Sequence, residues 1–491
     1  MTTTATPAEA PKYEWKWQPD TKAALPVAVD PASSTDPAEP GERPAIKLPS
    51  IPGEFWAART RLAIIRQAAR SALVGPDMLL LALLCRLSAM RHHDLNFDLG
   101  RGKGSLNLFG GGVGGTGLGK TLANNAAQDL LIAPGYLTST GLGASRTLFK
   151  DGIGLGSGEG MIESFMGIVE EETGEIHKVK TKAANVGDPV TEKVRAQVRH
   201  NTYFFVDEGE ALGNLMQRTT SILGPTIRSA WAGASLGQEN AQAERTRFIG
   251  KFAYSLGMTV GFQPELVQVL LADGAAGTPQ RFLWLSGYDP DVPDEDVDPV
   301  APFELPLEEH GRPRTGLITG PEWLRKEMRD ARRKVLRGEV HVEQLDSHET
   351  LMRCKLAALL ALIDERMVVN DEDWHLAGLL WETSRSIRDE LTELGKREAR
   401  RTADLKSEAA ADTALRSHRK VADFDAAVHR VARGIAKTVQ GGVTSLAEVR
   451  RRVPYRDKKA GYYEPALTVA VTQGWIVADD TTARVGRRAA A

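Results

Sequence analysis

Residues 114 to 121 read Gly114-Gly115-Thr116-Gly117-Leu118-Gly119-Lys120-Thr121, a full G-x-x-x-x-G-K-[ST] match. A strand-like run, Leu106-Asn-Leu-Phe, leads into it, and residues 122–131 continue at helical spacing. The spacing predicts a strand, a glycine-rich turn and a helix in direct succession, a P-loop unit at home in a sheet with helices on its faces. Each residue type has a chemical reason. Glycines let backbone N–H groups curl around an anion, and the helix N-terminus adds positive potential. Lys120 is suited to neutralise β- and γ-phosphates, and the Thr121 hydroxyl to ligate Mg²⁺. All eight residues are expected to hold the phosphates of ATP.

Such a loop needs acidic partners from neighbouring strands. Tyr203-Phe-Phe-Val206 is an apolar run ending in Asp207-Glu208. Asp207 is expected at the metal, and Glu208 is expected to polarise a water in line with the γ-phosphate. Tyr254 to Phe262 reads as another central strand and ends in Gln263, the candidate γ-phosphate sensor. Transition-state charge also calls for a cation, often an arginine from a neighbouring subunit. Arg281 and Arg228 are the candidates, and a salt-bridged scaffold role is open for each. Residues 152–160, Gly-Ile-Gly-Leu-Gly-Ser-Gly-Glu-Gly, do not fit G-x-G-x-x-G and follow no clear strand, so no dinucleotide site is expected. That stretch reads either as a loop presenting Glu159 near the nucleotide, as an alternative water-activating carboxylate, or as a plain flexible connection.

Residues 1–50 hold nine of the 25 prolines and read as a flexible tail, with one aromatic piece, Tyr13-Glu-Trp-Lys-Trp17. Residues 51–100 carry helical periodicity, split by Gly75-Pro76-Asp77. Over 101–290 short apolar runs alternate with helical patterns, and 105–112, 202–206, 252–262 and 281–285 are the strand candidates. Residues 291–315 belong to an exposed acidic insertion or linker, since Asp289 to Glu309 holds nine acidic residues and no Lys or Arg. Helices return over 316–400, the expected lid, with an Asn370-Asp-Glu-Asp cap heading a helix to Leu391. Residues 401–491 read as helix (424–437), helix (445–452), helix (461–473), strand and short hairpin, the pattern of a winged helix.

The last segment also carries the charge asymmetry. Residues 401–491 hold 17 Lys and Arg against 10 Asp and Glu, which leaves −9 on the other 400 residues. Arg450, Arg451, Arg452, Arg456, Lys458 and Lys459 cluster between its second and third helices. There they could hold DNA phosphates while Tyr462, Tyr463, Thr468 and Thr472 face a groove. A winged helix used for protein contacts is the competing reading of the same basic face.

The longest apolar run, Met78 to Cys85, is far short of the roughly 18 residues needed to span a bilayer. The first twenty residues show no apolar signal core. Cys85 and Cys354 sit in apolar stretches, which argues against disulfides and thiolate metal sites. His92 and His93 are adjacent, and no cysteine or carboxylate pattern completes a metal site around them. The chain reads as soluble and cytoplasmic.

Taken together, several stretches resemble a family of P-loop ATPases from actinobacteria, their phages and integrated elements, described as primase- or helicase-like. The resemblance rests on Gly104-Ser-Leu-Asn-Leu-Phe, Leu155-Gly-Ser-Gly-Glu-Gly160, Val206-Asp-Glu-Gly-Glu210 and Ala230-Trp-Ala-Gly. It continues through Val260-Gly-Phe-Gln-Pro264, Gly277-Thr-Pro-Gln-Arg-Phe282 and Asp373-Trp-His-Leu-Ala-Gly, and spans roughly residues 55–400. It implies a RecA- or AAA+-like, DNA-dependent ATPase of mobile-element replication, in a hexameric ring with ATP between subunits. Primer synthesis is not expected, because only the short N-terminal tail stands where some relatives carry a primase–polymerase module.

The combined expectation is an α/β P-loop NTPase core with N-terminal helices, a helical lid and a C-terminal winged helix. It acts as an ATP- and Mg²⁺-dependent DNA helicase or translocase, with DNA, copies of itself and host or element replication proteins as partners. The polar segment 236–247 is the expected pore-facing loop. Two alternatives are an ATP-switched initiator that loads a host helicase and a DNA-binding regulator with negligible turnover. Glu208 weighs against the regulator, because hydrolysis needs it and binding does not.

Overall fold

Helices Thr60–Ser71 (α1) and Pro76–Met90 (α2) lead into the strand Leu108–Val113 (β1), whose three consecutive glycines set the layering of the core. A Cβ on Gly110 would stand 2.6 Å from Leu81, and one on Gly112 2.2 Å from the Met78 sulfur. Both partners lie on α2, every residue of which is buried. Gly257, on the neighbouring strand, extends this floor, since a Cβ there would meet the Cys85 carbonyl at 1.8 Å. Glycine costs strand stability in isolation, but here it lets a helix lie directly on the sheet. Residues 51–100 are therefore no separate segment: α2 is one face of the core.

The computed structural model of the chain describes residues 13–18, 23–28, 47–138, 148–176, 189–238, 247–339 and 344–488. With Phe149–Ile153 (β2), Asn201–Val206 (β3), Ser255–Phe262 (β4) and Phe282–Ser286 (β5), β1 forms a five-stranded sheet in the order β5-β1-β4-β3-β2. Every pairing in it is parallel. Four strands fall where the apolar runs predict them. β2 does not: it runs into the glycine stretch at 152–160, which the sequence reading left without a strand. Its Lys150, Asp151 and Gly152 hide it, and Arg86 of α2 holds Asp151 at 2.8 Å.

Lys120–Leu130 (α3), Gly209–Gln217 (α4) and Leu223–Ala232 (α5) follow the sheet strands, and Glu322–Leu336 (α6) buries only Leu324. Glu349–Ile363 (α7) lies within the expected lid. It joins the main core, and its Lys355 amine donates to the carbonyls of Asn107 and Trp231, each at 2.6 Å, at the amino-terminal end of the sheet. The acidic stretch, read as an exposed insertion or linker, is largely exposed and is tied to α1 at its start. Asp289 and Asp291 pair with Arg70 and Arg66 of α1 at 2.8 and 3.1 Å, and Arg61 lies over the Phe303 ring.

Two antiparallel ribbons escaped the sequence reading: Met166–Ile176 with Pro189–Gln197, and Tyr13–Gln18 with Ala23–Ala28. The second lies inside the expected flexible tail, in a stretch whose aromatic residues favour strand. Leu236–Gln238 and Arg247–Ile249 also pair, and the rest of the expected pore loop, 239–246, is outside the described residues. No single helix among the described residues is long and apolar enough to cross a membrane; α1 and α2 meet that measure only as a pair, bent by 118°. Both cysteines are buried free thiols.

The chain divides into two compact units, 1–391 and 392–491. The division falls inside one continuous helix, Asp371–Gln440 (α8), where the sequence reading expected two. Residues 396–433 contain neither glycine nor proline, so nothing local interrupts it. The C-terminal unit continues with Leu446–Arg452 (α9), Tyr455–Lys459 (α10), Tyr463–Thr472 (α11) and a hairpin of Ile476–Ala478 with Ala483–Val485. It has its own core, including Val431, Ile435, Val449, Ala466 and Ile476.

Candidate functional site

Three parallel strands deliver their carboxyl ends to one cleft of about 510 Å³, lined by Thr116, Gly117, Lys120, Asp207, Glu208 and Gln263 among others. The strand order makes this convergence. β4 lies between β1 and β3, so the residue after β4 stands between the glycine loop and the acidic pair. Crevices outside the carboxyl ends of parallel strands are where such sheets hold ligands.

The loop leaves β1 at Gly114, whose N–H donates to the Phe262 carbonyl at 3.0 Å. Gly117 and Gly119 take φ of 86° and 67°, left-handed values that a side chain would strain. Gly119 then caps α3, whose first turn carries no acidic residue, so its positive end is left to an anion. Gly114, Gly115 and Leu118 form the back of the loop; Gly119, Lys120 and Thr121 reach the cleft.

Lys120 Nζ donates to the carbonyls of Gly114 at 3.1 Å and Gly115 at 3.4 Å. Burial draws this ammonium below the ordinary lysine range, and Asp207 opposes the shift. Thr121 Oγ1 donates to Asp207 Oδ1 at 2.9 Å, which joins the two expected metal-holding side chains across 86 residues of sequence. Asp207 and Glu208 are both exposed to the cleft. Beneath them the Tyr203 hydroxyl of β3 donates to Asn124 Oδ1 of α3 at 2.8 Å and accepts from the Thr259 hydroxyl of β4 at 3.0 Å, which fixes helix and strands together.

The cleft also contains residues the sequence reading missed. A Cβ on Gly261 would meet the Asp207 carbonyl at 2.6 Å and the Lys120 stem at 2.9 Å, so only glycine leaves room for that lysine. Glu210, Leu122 and Leu266 line the wall. Gly261 and Glu210 stood within quoted motifs, but no periodicity singled them out.

Other candidates lie elsewhere. Arg281 precedes β5, and the pairing of Phe282 with Phe109 and Ser286 with Val113 puts it at the opposite end of the sheet, roughly 15 Å from the loop. It donates to the Gly277 carbonyl and lies 5.7 Å from the Trp231 ring. Burial, then Arg228, lowers its pKa. Arg228 pairs with Asp273 at 3.2 Å and donates to Thr278 at 2.9 Å. Neither arginine lines the cleft, and no described residue of 316–400 does so. Glu159 is a correction: it sits in the first turn of the short helix Gly158–Glu163 and lines a second cleft with Arg247, which shares no residue with the cleft of the glycine loop.

The histidines also need correcting. His92, His93 and Asp94 follow α2 in a turn, where their ligand atoms come within 4.8 Å of one another, and the His93 ring stacks on His200 at 4.3 Å. A turn brings together what a helix would have splayed. Burial, helped by His200 and His92, pushes His93 down to about 4.

In the C-terminal unit Arg450, Arg451, Arg452, Arg456 and Lys459 are exposed and Lys458 is half-buried, with its amine on the Arg450 carbonyl at 3.2 Å. Tyr463 cannot face a groove: it is 6% exposed, packed in the core with the Arg450 guanidinium 5.4 Å from its ring. Tyr462 is half-buried against Phe424. Thr468 and Thr472 are exposed.

No protein-family model matches the chain, and comparison with curated proteins finds no relative.

Proposed function

We propose that this chain is an ATP- and Mg²⁺-dependent ATPase of the P-loop class that drives a helicase or translocase acting on DNA, assembled as a ring. The observation that carries the reading is the convergence of the glycine loop, Asp207-Glu208 and Gln263 at the carboxyl ends of β1, β3 and β4. Strand order alone brings together three motifs that are far apart in sequence.

The residues present fit a nucleotide and its metal. The loop N–H groups and the α3 terminus receive phosphate oxygens, and Lys120 exchanges two loop carbonyls for the phosphates. Thr121 Oγ1 and the Asp207 carboxylate, already in contact, are the pair that would hold Mg²⁺. When bound, that ion offsets phosphate charge. Glu208, exposed at the head of α4, takes the proton of the attacking water, and Gln263 contacts the γ-phosphate from β4. Arg228 and Arg281 stand too far from their own cleft to serve it, so in this reading they face a neighbouring subunit's nucleotide. The C-terminal unit reads as a winged helix whose exposed arginines hold DNA phosphates.

The test is steady-state ATP hydrolysis by the full chain without DNA, with single strands, and with a forked duplex carrying a strand-release reporter. DNA-stimulated turnover with strand release is expected. Glu208→Gln should keep ATP binding and lose turnover by about 10² or more. Turnover without release would move the reading to an initiator, and binding without turnover to a regulator. Unchanged turnover in the Glu208 variant would remove that residue from its role.

A further inference from the structure

Helix α6 sorts its charge by face. Residues 322–337 hold seven Lys and Arg against three Asp and Glu, and residues 331–337 hold four against none. The apolar side is already taken: Leu324 is buried, and the Met328 sulfur lies 3.5 Å from that of Cys354 on α7. Trp323, Lys326, Arg329, Arg333 and Arg337 follow one another at three- and four-residue steps, which stacks them into one stripe about 21 Å long. Lys326, Arg332, Arg333, Lys334 and Arg337 are exposed, and Arg329 is half-buried. Arg325 pairs with Asp98, Arg333 with Asp330 and Arg337 with Glu339. Lys326, Arg329, Arg332 and Lys334 form no ion pair among the described residues, so their charge is left to a partner.

The head of the stripe is aromatic. Trp323 is 41% exposed, whereas Trp56, Trp231, Trp284 and Trp381 are buried. Its indole N–H donates to Asp371 Oδ1 at 2.8 Å, and its ring meets Trp374 edge-on with the centroids 6.2 Å apart. The Arg353 guanidinium lies over the Trp374 ring at 4.2 Å. These contacts hold the Trp323 ring in one orientation at the surface, where it loses little freedom on meeting a flat ligand.

We infer that α6 and Trp323 form a contact for single-stranded DNA, in which the basic stripe tracks phosphates and the indole stacks on a base. A fixed, exposed aromatic ring beside a line of cations suits an unpaired strand, whose bases are free to stack on it. It does not suit a bilayer surface, because the apolar side such a surface would take is packed on the core. The inference rests on the DNA reading above and adds a contact in the N-terminal unit, separate from the basic residues of the C-terminal one.

The experiment measures binding of an oligothymidylate, an abasic strand of equal length and a blunt duplex to the full chain over a salt series, with thermal midpoints recorded alongside. The variants are Trp323→Ala, Trp323→Phe and a quadruple alanine replacement of Lys326, Arg329, Arg332 and Lys334. Alanine favours helix, so the quadruple variant should keep the parent's midpoint. Its slope of log K against log salt for oligothymidylate should flatten by about 2.8, at about 0.7 for each phosphate contact on a single strand. Trp323→Ala should bind oligothymidylate roughly tenfold more weakly and the abasic strand as before, and Trp323→Phe should recover most of that loss. An unchanged slope in the quadruple variant, or equal losses of Trp323→Ala on the two strands, overturns the contact. A parent that binds duplex but neither single strand overturns it while leaving the DNA reading standing. A parent that binds no DNA overturns both. A quadruple variant that sediments differently but holds oligothymidylate like the parent makes this face a contact between copies of the chain, and overturns the inference as well.

Discussion

Asp77, in the first turn of α2, is 2% exposed, and its carboxylate accepts the Ile51 N–H at 2.8 Å. Burial pushes it up from 3.8 to about 7, with Asp289 adding to the shift and the Ile51 N–H and Arg66 opposing it. Between about pH 4 and 7 the folded chain therefore holds a proton that the unfolded chain has released. The stability this group contributes is complete below pH 4 and lost as pH rises through 7. Asp77→Asn keeps an acceptor for Ile51 and removes the titration. Its unfolding free energy should exceed the parent's at pH 8 by on the order of 2–4 kcal/mol, and the advantage should shrink at pH 5. An advantage constant with pH would show that Asp77 is ionised in the fold. At this scale the site was largely legible: Lys120, Thr121, Asp207, Glu208 and Gln263 come together in the cleft because their motifs specify both residue type and strand position. Tyr463 was not legible, since a helix face has no label until its partners are known. Gly261 escaped because its importance lies in the Lys120 stem, 141 positions away in sequence.

At the scale of elements, four sheet strands were legible as apolar runs, whereas β2, half-buried with Lys150, Asp151 and Gly152 inside it, and the charged ribbon strands Met166–Ile176 and Pro189–Gln197 show no clean alternation. The head of α8 was legible as a cap, and it forms as one: Asp373 N–H donates to Asn370 Oδ1 at 2.9 Å, and Asn370 N–H to Asp373 Oδ2 at 2.8 Å. The sequence could not show that Asp373 is also a buried junction. Its carboxylate pairs with Arg59 at 2.7 Å and Arg366 at 2.6 Å. Burial opposes its charge, but Arg366, the Asn370 N–H and Arg59 together hold it below the usual carboxylate range. Removing Asp373 takes away the fully buried counter-charge and leaves Arg59 with the more exposed Asp364 and Glu372 and Arg366 with Asp364. Asp373→Ala should cost about 3–5 kcal/mol in urea unfolding. Asp412→Ala, which breaks an exposed pair with Arg416 on the same helix, should cost under about 1 kcal/mol. Equal losses would mean that α8 depends on its middle as much as on its head.

At the scale of the whole molecule, the charge asymmetry could be read directly, and the boundary between units could not, because it falls inside an uninterrupted helix. The proposal that this charge serves DNA turns on which arginines are free. Arg452 pairs with Glu448 at 2.9 Å, and Arg450 lies 3.8 Å from Glu464 and over Tyr463, so part of each charge is already answered. Arg451, Arg456 and Lys459 are exposed, and Arg456 has only a distant carboxylate, Asp457 at 3.9 Å, which Arg430 already holds. Duplex affinity of the full chain should then fall steeply with salt, as each neutralised phosphate adds about −0.9 to the slope of log K against log salt. Replacing Arg451, Arg456 and Lys459 with alanine should flatten that slope by about 2.7 and weaken binding similarly on any sequence. ATP hydrolysis without DNA should stay at the parent rate, since these side chains belong to the C-terminal unit and the cleft to the other. A slope that the triple variant leaves unchanged would assign the basic face to an acidic protein partner.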